Sequence, residues 1–207
     1  MPKATAVTPA PRRKAEVTRE KLIDAARVVF SRDHYQNARI ADICAEAGKA
    51  VGVFYRYFND KQDIFIACVD QFFEDLNRAS PPAAEFETNT LGAIRQSTTI
   101  YWIKYRQYYG VVAGLFETGM VNPEIAGLWH KVRDNGMKRF AFRIRKQHAA
   151  GKCLDLDPDI AASALMGMLE FSCYNWNARR LDFQNREIDD DTAIANLFTL
   201  LRNALQM

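Results

Sequence analysis

Between Lys49 and Lys61 the chain reads KAVGVFYRYFNDK, bringing cations, phenols and β-branched residues into one short stretch. Such a set suits nucleic acid. Guanidinium and ammonium donors at Arg56 and Lys49 match guanine O6 and N7, and the methyls of Val51 and Val53 can meet the thymine methyl. An ammonium at Lys61, where the next helix begins, is well placed for a phosphate oxygen. Catalytic chemistry finds no comparable constellation. His34, His130 and His148 lie far apart in sequence, with no nucleophile–base–acid set and no glycine-rich phosphate loop. His148 and Cys153 straddle a glycine, and two ligands in that arrangement make a poor metal site. We therefore expect no catalytic residues, no metal and no cofactor.

The basic stretch needs a scaffold, and the residues before it supply one. Ile40, Ile43, Cys44 and Ala47 follow the spacing of a helix with one buried face. Gly48 then interrupts where a tight turn needs positive φ. A second short helix fits Val51 to Tyr57, with Phe54 and Phe58 reaching one core. Two short helices about a glycine, the second carrying Lys49, Tyr55, Arg56 and Tyr57, read as a helix-turn-helix. Such a motif lays its second helix in the major groove.

The wider string resembles the tetracycline-repressor (TetR) family of bacterial transcription regulators. The matching residues are Ala25, Ala26 and Phe30, then Asp42, Ile43 and Gly48, then the run Gly52, Tyr55, Phe58, Lys61. The resemblance covers roughly residues 18 to 68. It implies that Tyr55, Tyr57 and Lys61 hold the DNA backbone, within a candidate DNA-contacting set completed by Arg39, Lys49, Ala50, Val51, Gly52, Val53 and Arg56. Several positions depart from the family pattern. His34 stands in place of the usual glycine after the first helix, and Ala38 and Ala50 replace hydroxyl residues at two helix starts. A missing N-cap costs about 1 kcal/mol. Lys49 replaces an apolar residue and Arg39 a small polar one, which bears on the operator sequence rather than on the fold.

Charge is distributed as this reading requires. The whole chain carries only +3, but residues 1–61 hold twelve Lys/Arg against seven Asp/Glu, and the remainder sixteen against eighteen. The basic excess lies with the helix-turn-helix. Hydrophobic content of 48% over 207 residues supports a sizeable core. No apolar run reaches the length of a membrane span and the N-terminus lacks a signal-peptide core, so a cytoplasmic protein without membrane contact is expected. The four cysteines fall mostly inside helical patterns and read as small buried hydrophobes.

Taken in order, residues 1–14 with three prolines read as a flexible arm, whose Arg12, Arg13 and Lys14 could touch DNA. Thr18 is a plausible N-cap for a first helix with the buried stripe Leu22, Ala25, Ala26, Val29 and Phe30. Asn59 with Gln62 suggests a capping box for a fourth helix that ends at Ser80-Pro81-Pro82 and could link the two parts mechanically. A long fifth helix runs through Leu91 to Tyr108, followed by a piece loosened by Gly110, Gly114 and Gly119. Asn122-Pro123-Glu124 and Asp157-Pro158-Asp159 are two further helix starts, the second helix reaching about Arg180. Asp189 to Asp191 opens the last helix. The predicted architecture is all-α with about nine helices: an arm (1–14), a three-helix DNA-binding domain (15–62) and a helical ligand-binding and dimerisation domain (63–207).

The second domain concentrates aromatic residues, including all three tryptophans. The resemblance implies a ligand cavity there, and Tyr101, Trp102, Tyr105, Phe116, Trp129, Met168 and Trp176 are its candidate lining, suited to a lipophilic or aromatic ligand. Arg95, Lys104 and Arg106 leave room for an anionic head. The stripes Ile160, Ala164, Met168, Phe171 and Ile194, Leu197, Phe198, Leu201 offer apolar surface for a homodimer through the last two helices, with small Ala161, Ala164 and Gly167 permitting close approach. The expected function is a dimeric repressor of a double-stranded, pseudo-palindromic operator, released by that ligand. Two alternatives share these features: a constitutive or activating regulator without inducer, and a small-molecule binding protein with an impaired DNA head.

Overall fold

Leu22, Ala25, Ala26, Val29 and Phe30, the stripe read from the sequence, are all buried in the first helix of the structure. The structure is a computed structural model that describes residues 11–80, 90–179, 182–183 and 185–207. Among these residues there are nine α-helices and no strand. The chain divides into two compact units, Met1–Cys68 and Val69–Met207.

Unit 1 contains α1 (Pro11–Asn37), α2 (Ile40–Glu46), α3 (Val51–Phe54) and the start of α4 (Lys61–Ala79). Helix α1 begins at Pro11, so the arm expected through residue 14 is already helical there. The side chains of Arg12 and Arg13, like residues 1–10, lie outside the described residues. Thr18 is not an N-cap. It sits inside α1 and donates its hydroxyl hydrogen to the Lys14 carbonyl at 2.9 Å, an option open to any helical threonine. Phe30 meets Phe65 edge-on at 5.5 Å, and Tyr35 lies 4.3 Å from Phe65. Ile64, Phe65 and Cys68 are fully buried, and this is why the division falls after Cys68 rather than at residue 62. The cap of α4 is shifted by one from the expected Asn59–Gln62 pair. Asp60 accepts from the Asp63 backbone N–H at 2.8 Å, and Asp63 reaches back to the Asn59 N–H at 2.9 Å. Carboxylates satisfy the free N–H groups of a first turn better than amides do.

Unit 2 holds the end of α4 with α5 (Thr90–Gln107), α6 (Tyr109–Gly119), α7 (Pro123–Ala149), α8 (Pro158–Cys173), a π-helical turn (Tyr174–Arg179) and α9 (Asp190–Ala204). The sequence signals for helix starts hold. Asn122 accepts from the N–H groups of Glu124 and Ile125, Asp157 from those of Asp159 and Ile160, and Asp189 from that of Thr192. Pro123 and Pro158 occupy the first turns, where no N–H is needed. The piece after Tyr108 is not loose: α6 is a regular helix with Val111, Ala113 and Leu115 almost fully buried. Its glycines leave the helix thin enough to sit inside the bundle. Helix α7 packs along α8, where a Cβ on Gly136 would stand only 2.6 Å from the Met166 sulfur. Arg180, expected near the end of α8, lies outside the described residues, as do Pro81 and Pro82.

The α9 stripe differs from expectation. Ile194, Leu197 and Leu201 are buried within the chain, because α9 packs against α5. The α8 stripe stays open, with Ile160 72% and Phe171 52% exposed. All four cysteines are buried free thiols. No helix among the described residues is long and apolar enough to cross a membrane.

Candidate nucleic-acid interface and internal cavity

Phe54 and Phe58, 5.6 Å apart and buried, pin the turn after α2 into the core of unit 1. With that face anchored, the remaining side chains of the segment are left at the surface. Gly48, at φ 61°, makes the turn, and an added Cβ there would meet nothing within 4 Å. The backbone angle, not space, therefore requires glycine. Arg39, Ala50, Val51, Gly52, Tyr55 and Arg56 are exposed, and Lys49, Val53 and Tyr57 are half-buried. Helix α3 is shorter than predicted, ending at Phe54. Residues 55–57 continue as a turn in which the Tyr57 N–H reaches the Phe54 carbonyl at 2.9 Å. Neither Arg39, which precedes α2, nor Ala50, which precedes α3, makes a side-chain cap. Among the described residues no hydrogen bond or ion pair occupies the side chains of Arg39, Lys49 or Arg56.

Lys61 differs from these. Its ammonium donates to the Tyr35 carbonyl at 2.8 Å and the Gln36 carbonyl at 3.0 Å, and lies 4.8 Å from the Tyr35 ring centroid. It thus ties the start of α4 to the end of α1, where free carbonyls collect. Burial holds its pKa below the usual lysine value. Close by, His34 has φ 62° and ψ 153°. The positive φ agrees with the glycine position expected there, but this ψ lies beyond the left-handed helical well, in a region almost reserved for glycine.

In unit 2 the seven aromatic and methionine candidates do not form one site. Tyr101, Tyr105, Phe116 and Trp129 converge with Glu170 on a space of about 10 Å³, enough for about one water. The Tyr105 hydroxyl is buried there without a partner. Trp102 instead donates its indole N–H to Asp190 at 2.7 Å and packs on Trp176 of the π-helical turn, 6.0 Å away. Met168 lines neither this space nor the larger cavity described next. Glu170 is buried and ion-paired to Arg133, and burial pushes its carboxyl up to about 7 against the pull of that arginine and of Trp129.

A larger cavity of about 70 Å³ lies between α4, α5, α7 and α8 and shares only Tyr101 with the expected lining. Its wall is largely apolar and includes Ile94, Phe140, Met166 and Leu169, with Arg139, Arg143, Ser97, Thr98, Asn77, Ser80 and Asn135 as polar members. Arg143 is 5% exposed, with its guanidinium 5.4 Å from the Phe140 ring centroid. Burial, aided by Arg139, lowers its pKa to about 10. The cations expected on α5 are committed elsewhere: Lys104 to Asp75, Arg106 to Asp190, and Arg95 over the Phe198 ring. Arg139 and Arg143 were missed by sequence reasoning, although a signal existed. Arg143 falls in the helical register of the buried Val132 and Phe140, where an apolar residue is expected. His148 Nε2 lies 2.7 Å from the Cys153 carbonyl oxygen, while the Cys153 thiol points to the Ala204 carbonyl.

Comparison with known proteins agrees with this layout. Residues 22–68 match the family model of bacterial regulatory proteins of the tetR family. The HTH-type transcriptional repressor NicS of Pseudomonas putida is 26% identical over 92 residues, 44% of this chain. The match spans 43% of that repressor, less than half its length. Among solved structures, a TetR-like transcriptional regulator from Rhodococcus sp. RHA1 superposes with a TM-score of 0.67 at 22% identity, covering 97% of this chain and 99% of that one. The fatty acid degradation regulator FadR from Bacillus halodurans gives 0.68 at 19% identity over 94% and 96%. A Saccharomonospora viridis regulator in complex with choline gives 0.70 at 19% identity over 92% and 96%. These likenesses extend over both units and establish the fold of each.

Proposed function

We propose that this chain, which belongs to the tetR family of bacterial regulatory proteins, is a repressor that binds a pseudo-palindromic operator as a homodimer and leaves it when a small molecule enters unit 2. The carrying observation is the exposed, unpaired set around α3. Lys49 and Arg56 offer free donors beside Val51 and Tyr55 on a surface anchored from beneath by Phe54 and Phe58. In this reading Arg56 and Lys49 address guanine edges, and Val51 and Val53 address thymine methyls. Tyr55, Tyr57, Arg39 and the backbone around Ala50 and Gly52 hold phosphates and fix the register. Lys61 contributes its remaining N–H donor.

A second copy supplies the second half-site. Its contact would use the open face of α8, where Ile160, Ala164 and Phe171 are exposed, together with Leu200 of α9. Gly167 on α8 has nothing within 4 Å of an added Cβ, leaving room for a partner helix. The effector acts by binding one of two conformations more tightly, since equal affinity for both would shift nothing. The similar structure in complex with choline supports small-molecule binding as a capacity of this fold. The ligand is lipophilic in body, as the apolar cavity wall suggests.

Operator binding tests the reading. A gel-shift titration across salt should give log K falling linearly against log salt, by about 0.9 per phosphate neutralised. Binding that ignores salt, or that does not distinguish an operator from random duplex, would end it.

A further inference from the structure

We propose that the cavity between α4, α5, α7 and α8 is a site for a medium-sized amphipathic carboxylate, its anionic head held by Arg139 and Arg143 and its apolar body lying against Ile94, Phe140 and Leu169. The inference rests on the reading that unit 2 takes up an effector, and it names the chemical class. Three observations carry it.

The first is the charge of the wall. Arg139 and Arg143 stand four residues apart on α7, so they share one helical face, and both line the cavity. Like charges at that spacing repel, and repulsion weighs more where one of them is 95% removed from solvent. No carboxylate lines this cavity among the described residues, and Arg139 has no hydrogen bond or ion pair with any of them. An anion inside would relieve the repulsion and accept charge-assisted hydrogen bonds from planar donors suited to a carboxylate.

The second is a polar atom left over. The Ser97 hydroxyl on α5 is buried in the same wall without a partner. Its neighbours are already satisfied: Thr98 bonds the Ile94 carbonyl at 2.8 Å, and Asn135 bonds Asn77 at 2.8 Å. A buried polar group costs free energy until something bonds it, and a carboxylate oxygen is a strong acceptor for its O–H. The third is the apolar remainder of the wall. A small inorganic anion would satisfy the arginines but leave Ile94, Leu169 and Met166 facing open space, whereas the inner part of an alkyl chain fills that space and the rest extends through the cavity's partly open side.

The test uses the full chain and three ligands of equal length: octanoate, octanol and octylamine. Isothermal titration should show octanoate binding, octanol weaker by about ten-fold or more, and no binding of octylamine. Arg139→Gln should weaken octanoate by about ten-fold and leave octanol unchanged; Ser97→Ala should weaken octanoate by a smaller factor. Arg143→Gln tests the deeper cation, and because its loss can disturb folding, the half-buried Arg139 is the deciding variant. Octanol binding as tightly as octanoate, octanoate failing to bind, or Arg139→Gln leaving octanoate untouched would each overturn the proposal. Operator release is measured separately. Octanoate that binds through Arg139 without changing operator affinity upholds the site and sinks the effector reading.

Discussion

Arg56 and Lys61 stand five positions apart in one motif, yet their environments differ and lead to different predictions. Arg56 is exposed and unpaired, so Arg56→Ala should leave unfolding by urea unchanged while costing about 1–3 kcal/mol of discrimination at one base pair. Lys61 bridges α4 to the carbonyls of Tyr35 and Gln36, so Lys61→Ala should lower the stability of unit 1 by about 1 kcal/mol. If Lys61→Ala unfolds at the wild-type urea midpoint, the bridge contributes nothing and its ammonium is free for phosphate. The sequence alone could not separate these two roles, because both residues are cations in one motif and only the carbonyls at the end of α1 distinguish them. His34 was more legible. Its place at the glycine position of the family pattern predicts positive φ, and the structure finds φ 62° with ψ 153°, a kink within α1. Strain of that kind costs about 1–3 kcal/mol. His34→Gly should therefore raise the stability of unit 1 by about 1 kcal/mol after the entropy cost of glycine, read as a higher urea midpoint.

In unit 2 the helices announced by capping residues were read accurately, whereas in unit 1 Thr18 is no cap and the α4 cap is shifted by one, and what each helix packs against was not read. Asn122, Asp157 and Asp189 act as N-caps because a short side-chain acceptor satisfies local N–H groups, a signal carried entirely by neighbouring residues. The stripe of α9 was misassigned because periodicity shows that a face is apolar and not what covers it. Ile194, Leu197 and Leu201 turn out to be covered by α5. The expected aromatic lining is divided and its space small for a related reason: composition gathered the rings, but the rings fill one another's space, as Phe116 does with Trp129 at 4.8 Å and Tyr174 at 4.9 Å. Between α7 and α8 the pair Arg133–Glu170 gives a pH prediction. Burial raises the Glu170 carboxyl from 4.5 to about 7, so between those values the folded chain holds a proton that the unfolded chain has released. Stability from this group is then full below about pH 4.5 and is lost as pH rises to about 7, at up to about 1.4 kcal/mol per pH unit. Glu170→Gln should flatten that part of the stability–pH curve. A curve unchanged in shape would mean that Arg133 keeps Glu170 ionised throughout.

At the scale of the molecule, the partition of charge was visible in the sequence, with the basic excess confined to the residues that form unit 1. The surface proposed for a second copy was only half visible, because one of the two expected apolar stripes is consumed inside the chain. What remains is the α8 face, with Ile160 72% and Phe171 52% exposed, and Leu200 of α9 at 51%. Large apolar side chains grouped along one helix favour a covering partner, and a two-fold pair covers both faces at once. Light scattering without DNA should therefore give about twice the chain mass of 23.6 kDa. Phe171→Glu should split the dimer and leave unit 2 folded, since the ring already faces solvent within the chain. Its effect on DNA follows from linkage of the two heads. When one half-site is held, the second binds at a high effective concentration, and separating the copies can remove about 100-fold or more of the affinity. The Phe171→Glu chain should keep weak, salt-dependent binding to a single half-site while losing tight binding to the full operator. A variant that remains dimeric and retains tight operator binding would place the interface elsewhere, because an ionised carboxylate at the centre of an apolar contact cannot be accommodated without cost.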